Sequence, residues 1–108
     1  MADHYTYRLS WSAEDAEFVA TCAEFPSLSW LDGDEIEALR GIKTLVRDAA
    51  EDMRASGEPV PEPLAEQEFS GKFMVRVPPT QHRNLVIRAA EQGVSLNRYV
   101  SAKLSVSG

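Results

Sequence analysis

Lys72, Met74 and Arg76 alternate with Phe73, Val75 and Val77. In a strand this puts two cations and a thioether on one face and three apolar side chains on the other. Arginine can donate to O6 and N7 of guanine, lysine brings a point charge to the same edge, and methionine offers apolar contact to a thymine methyl group. Further along, Ser95, Leu96, Asn97 and Arg98 open what reads as a helix, whose free N–H groups and positive dipole end suit a phosphate. The other reactive groups are carboxylates. Asp32, Asp34, Glu35 and Glu37 stand together, whereas paired catalytic acids come from separated places and lie among apolar neighbours that shift their pKa. Capping and the helix dipole account for this cluster. Its charge also suits a docking surface for a basic protein, with Asp32, Asp34 and Glu35 as candidate contacts. His4 and His82 are isolated from each other and Cys22 is the single cysteine. The expectation is therefore no catalytic residue, no metal, no cofactor and no enzyme activity.

Charge divides the chain at Phe69. Residues 1–68 carry sixteen Asp/Glu against five Lys/Arg, a balance of −11, and residues 69–108 carry six Lys/Arg against one Glu, a balance of +5. A phosphate backbone responds to the local field, so the overall balance of −6 does not argue against nucleic acid. Two partners of opposite charge are expected, one for each part. The apolar fraction of 44% with 26% charged residues is that of a globular protein. With no basic-then-apolar leader and no long apolar run, a soluble cytoplasmic protein without membrane contact is expected.

These groups need elements to hold them. Tyr5, Tyr7, Leu9 and Trp11 alternate with polar residues and predict a strand; Glu17 to Phe25 predicts a second, antiparallel to it across a short turn. After Pro26, Leu28 and Trp30 predict a short third strand. A helix over about Glu35–Arg54 covers the sheet with Leu39, Ile42, Val46, Ala49 and Met53 as its apolar stripe, Asp34 as N-cap and Glu37 reaching back in a capping box. Gly57 ends it, and the prolines at 59, 61 and 63 make an ordered strap or linker over 56–68. The fold class is α+β, with an acidic domain over 1–65 built on a three- to four-stranded antiparallel sheet.

Residues 69–108 read as strand, helix, helix. The strand Lys72–Val77 stops at Pro78-Pro79, a helix follows over Thr80–Gln92, Gly93 breaks the chain, and Ser95 caps a second helix. A lone strand leaves its backbone groups unpaired and so short a unit buries little, so the expected solution is a homodimer pairing two copies of this strand. Four of the six outward side chains of that ribbon would be cationic, and two copies would carry +10. The exposed edges of the N-terminal sheet leave a tetramer open as a further assembly.

The run Ser70-Gly71-Lys72-Phe73-Met74-Val75-Arg76-Val77-Pro78-Pro79, followed by His82-Arg83, Ala89-Ala90 and Gly93-Val94-Ser95-Leu96-Asn97, resembles the ribbon-helix-helix repressors, in the version found in HicB-family antitoxins. The first half is similar too, in its β-β-β-α order, Phe25-Pro26, Asp32-Gly33-Asp34, Glu37-Ala38-Leu39 and Gly57 through Pro63. It departs at Ser27, where the family often has Gly, and at Asp34, where Thr commonly caps. The resemblance implies a partial RNase H-like domain that blocks a small basic mRNA-cleaving toxin of the HicA type. It further implies a ribbon-helix-helix domain that binds operator DNA and represses its own operon. Fold likeness alone carries no nuclease activity. Two other functions compete with this one: a ribbon-helix-helix regulator whose N-terminal domain senses a ligand or oligomerises without a toxin, and a nuclease using the acidic half.

Overall fold

The computed structural model describes residues 3–105, so the outermost ends of the two expected domains, 1–2 and 106–108, lie outside it. The chain divides into two compact units, Met1–Phe69 and Ser70–Gly108.

The first unit is a three-stranded antiparallel sheet in the order β1 (Tyr7–Ser12), β2 (Glu17–Cys22), β3 (Ser29–Asp32), covered on one face by α1 (Glu35–Ala55). No fourth strand forms among the described residues. Leu9 faces Ala20 and Trp11 faces Phe18 across the first ladder, and Ala20 faces Trp30 across the second. This register puts Tyr7, Leu9, Trp11, Phe18, Ala20, Cys22 and Trp30 on a common face, because side chains alternate along each strand. Trp11 and Phe18 meet edge to face with ring centres 5.0 Å apart. The second strand ends at Cys22, three residues short of the expected Phe25. There the N–H of Phe25 turns back to the Cys22 carbonyl, and that of Leu28 to the Phe25 carbonyl. Two successive turns thus carry the chain through Pro26, where a ladder cannot continue.

Helix α1 buries Ala38, Ile42, Val46 and Ala50. Of the expected stripe, Ile42 and Val46 are central, while Leu39, Ala49 and Met53 flank the core half-buried. The two alanines bring the helix backbone close to the sheet, which moves the buried line by one residue and leaves longer side chains at its margins. Asp34 caps the helix, accepting from the N–H groups of Ile36 and Glu37 at 2.9 and 3.0 Å. The reciprocal half of the expected capping box is different: Asp32, not Glu37, accepts from the Asp34 N–H, at 2.9 Å. Glu37 instead lies 3.4 Å from Arg40 on the helix surface. At the other end Gly57 has φ +76°, and the N–H groups of Gly57 and Glu58 return to the carbonyls of Arg54 and Met53. This is a Schellman closure, in which glycine removes the cost of left-handed backbone.

The proline-rich strap is part of this unit. Val60 packs on the core, the Tyr5 hydroxyl donates to the Pro61 carbonyl at 2.7 Å, and His4 bonds to Glu66 within a short 3-10 turn, Leu64–Glu66.

The second unit contains α2 (Pro79–Glu91) and α3 (Leu96–Leu104). Pro79 occupies the first turn of α2, as its fixed φ and missing N–H allow. Gly93 has φ +68°, and the N–H groups of Gly93 and Val94 bond back to Ala90 and Ala89, turning the chain between the helices. Only Ala89 and Tyr99 are buried among this unit's described residues. Residues 72–78 have no regular secondary structure and form no ladder. The expected strand therefore does not exist as paired structure within one chain, because a strand is completed only by a neighbour that takes its N–H and C=O groups.

Candidate nucleic-acid interface and acidic face

Over residues 72–77, Lys72, Met74 and Arg76 are exposed, as are Phe73 (77%) and Val75 (64%), while Val77 is half-buried. Two large apolar side chains two residues apart, both more than half in water, are not what one short unit would leave uncovered if it were complete. A second apolar surface lies on α2, where Pro79, His82, Arg83, Val86 and Ile87 line a shallow groove. Ala89 is buried and Leu85 half-buried four residues apart, whereas Val86 and Ile87 make a separate face, 45% and 48% exposed. The sequence carries a signal of this second face, since Leu85-Val86-Ile87 is more apolar than a helix with a single partner requires.

The four other candidate residues lie together at the start of α3. The Ser95 side chain accepts from the Arg98 N–H at 3.1 Å, and the Ser95 carbonyl accepts from Tyr99. The N–H groups of Leu96 and Asn97 precede these bonds and point away from the helix, as at any helix start. Asn97 and Arg98 are exposed and Leu96 is half-buried. A helix start of this composition can hold an anion with two backbone donors and a nearby guanidinium.

The HicB family model matches residues 55–104. The match takes in the strap and nearly all of the second unit's described residues, including every candidate DNA-binding side chain. Over this stretch the chain is similar to the HicB family. No curated protein and no solved structure matches the chain.

In the acidic unit the three candidate contacts are at one end of the sheet. Asp32 closes β3, Asp34 caps α1, and Glu35 is exposed in its first turn. Asp32 and Asp34 are thus engaged in local hydrogen bonds, and Glu35 favours the positive end of the helix. Two features here were not foreseen. One is a groove between β3 and α1, lined by Trp30, Asp32, Glu37, Gly41, Thr44 and Asp48. Gly41 lies against the Trp30 indole so closely that any Cβ would overlap the ring. A glycine inside a helix is itself a signal of close approach. The other is Glu24, whose carboxylate accepts from the Thr6 N–H (3.0 Å), the Thr6 hydroxyl (3.1 Å) and the Leu64 N–H (2.9 Å). Burial raises its pKa, but the donors from Leu64 and Thr6 outweigh that and hold it at about 2. The Tyr7 phenol is pushed up by burial, reinforced by its bond to Asp3, and the Cys22 thiol is pushed up by burial. No helix among the described residues is long and apolar enough to cross a membrane.

Proposed function

We propose that this chain is a cytoplasmic HicB-type antitoxin: a non-enzymatic protein that neutralises a small basic mRNA-cleaving toxin of the HicA type and represses its own operon. The observation that carries this reading is the coincidence of the HicB match with the basic unit and its alternating Lys72, Met74 and Arg76. Two copies pairing residues 72–77 antiparallel would cover Phe73 and Val75, press them onto the second face of α2, and present six outward side chains to a major groove. The Ser95–Arg98 helix starts would then clamp flanking phosphates. This is a ribbon-helix-helix dimer. The acidic unit, as a partial RNase H-like domain, supplies the surface for the basic toxin, and charge complementarity speeds their encounter. Pairing through its open edges would extend the dimer to a tetramer.

Co-expression with the reading frame beside this one, followed by affinity capture and a salt series of operator binding, tests the proposal. It predicts co-purification of a small basic protein and operator affinity that falls steeply with salt. Operator binding with no captured partner would instead favour a regulator without a toxin.

A further inference from the structure

We propose that the groove between β3 and α1 is a receptor for an arginine side chain of the basic partner, with the Trp30 indole as its stacking face and Asp32, Glu37 and Asp48 as its carboxylates. This rests on the proposed function for the identity of the partner, and it replaces Asp34 and Glu35 with groove residues as the point of grip. The groove is a built feature. Glu37, Gly41, Thr44 and Asp48 succeed one another at steps of three and four, so they form one stripe along α1, opposite Trp30 and Asp32 of β3.

Gly41 decides the shape. With no Cβ at 41 the indole lies against the helix backbone, which holds one side of the ring and leaves Trp30 41% exposed. A half-exposed tryptophan anchored by close packing is an unusual surface residue, and indole is the best aromatic acceptor for a cation over its face. The rim chooses the sign of the ligand. Three carboxylates line the groove against one cation, Arg40, which is itself 3.4 Å from Glu37. The surplus is negative, and it belongs to a unit whose sequence carries −11. Arginine suits this better than lysine, since a planar guanidinium can stack on the ring while its fork of donors reaches carboxylates at the edge. Arg40 shows from within the chain that a guanidinium can pair with this rim.

The protein carries its own control, because its only other tryptophan, Trp11, lies outside the groove. The full-length chain, labelled with nitrogen-15, is titrated with the blocked peptide Gly-Gly-Arg-Gly-Gly and with its Lys and Glu counterparts. The indole N–H signal of Trp30 should move with the Arg peptide, less with Lys and not with Glu, while that of Trp11 stays in place. Asp48→Asn should weaken the Arg response by about threefold. Arg40→Gln should strengthen it, because the resident competitor is gone; a merely structural role for Arg40 predicts no gain. A stationary Trp30 signal, or equal movement with Arg and Glu, overturns the proposal. Capture of the basic partner by Trp30→Leu with unchanged affinity overturns it as well, yet leaves the antitoxin reading standing. Failure of the wild-type chain to capture any basic partner, with an intact Arg response, removes the antitoxin reading and keeps the groove.

Discussion

The Leu64 N–H donates to the Glu24 carboxylate at 2.9 Å, joining the segment behind the prolines to the end of β2. The same carboxylate holds Thr6, so one side chain ties together the chain before β1, the turn after β2 and the strap. Hydrogen bonds to a charged acceptor are stronger than neutral ones, and their loss leaves the Thr6 and Leu64 donors without their partner. Glu24→Gln is expected to lower stability by about 1 kcal/mol at pH 7, measured by urea denaturation.

The same contact predicts a pH dependence. Glu24 has its pKa depressed from 4.5 to about 2 in the folded chain. Its contribution is therefore fully present above the unfolded value and is lost as pH falls through the folded one. The stability gap between wild type and Glu24→Gln should be constant from pH 7 to 5 and close between about pH 4.5 and 2. A gap that persists at pH 2 would place its origin elsewhere.

Gly41→Ala sets two effects against each other. Alanine is the better helix former by about 1 kcal/mol, but its Cβ would overlap the Trp30 ring. Overpacking of this kind typically costs about 1–3 kcal/mol, so a net loss of stability and a changed near-ultraviolet circular dichroism signal from Trp30 are expected. Stabilisation by this substitution would contradict the close contact.

Ala16 has φ +53° in the turn between β1 and β2, where the Ser12 hydroxyl bonds to Asp15 at 3.0 Å. A residue with a Cβ is strained in left-handed backbone and glycine is not. Ala16→Gly should raise stability by about 0.5–1 kcal/mol, read as a rise in thermal midpoint.

Much of the first unit was legible because its signals are local. Tyr7, Leu9 and Trp11 alternate, Asp34 precedes an apolar period, and Gly57 follows it, and each of these acts within a few residues. What was not legible depends on distant partners. Nothing near Glu24 in sequence announces Leu64, and nothing near Gly41 names Trp30 as the ring it makes room for. The capping box failed for a related reason: the bend before α1 brings Asp32 to the Asp34 N–H, while the Glu37 carboxylate lies beside Arg40. In the second unit the alternation of residues 72–77 was readable, but a ladder is a property of two segments, and one chain holds only one.

The ribbon reading makes a prediction of its own. Arg76→Ala should cost operator binding about 1–3 kcal/mol and relax base preference, while Phe73→Asp should disrupt dimers, seen by sedimentation, because it puts a charge where two chains would meet. An Arg76→Ala variant with unchanged operator affinity would remove Arg76 from the interface.

The most direct test of the central claim adds the purified chain to the product of the reading frame beside its own and follows cleavage of an RNA substrate. The account predicts that cleavage stops near one antitoxin chain per toxin, and that Arg76→Ala inhibits as well as wild type. Undiminished cleavage at excess of the folded chain would contradict it.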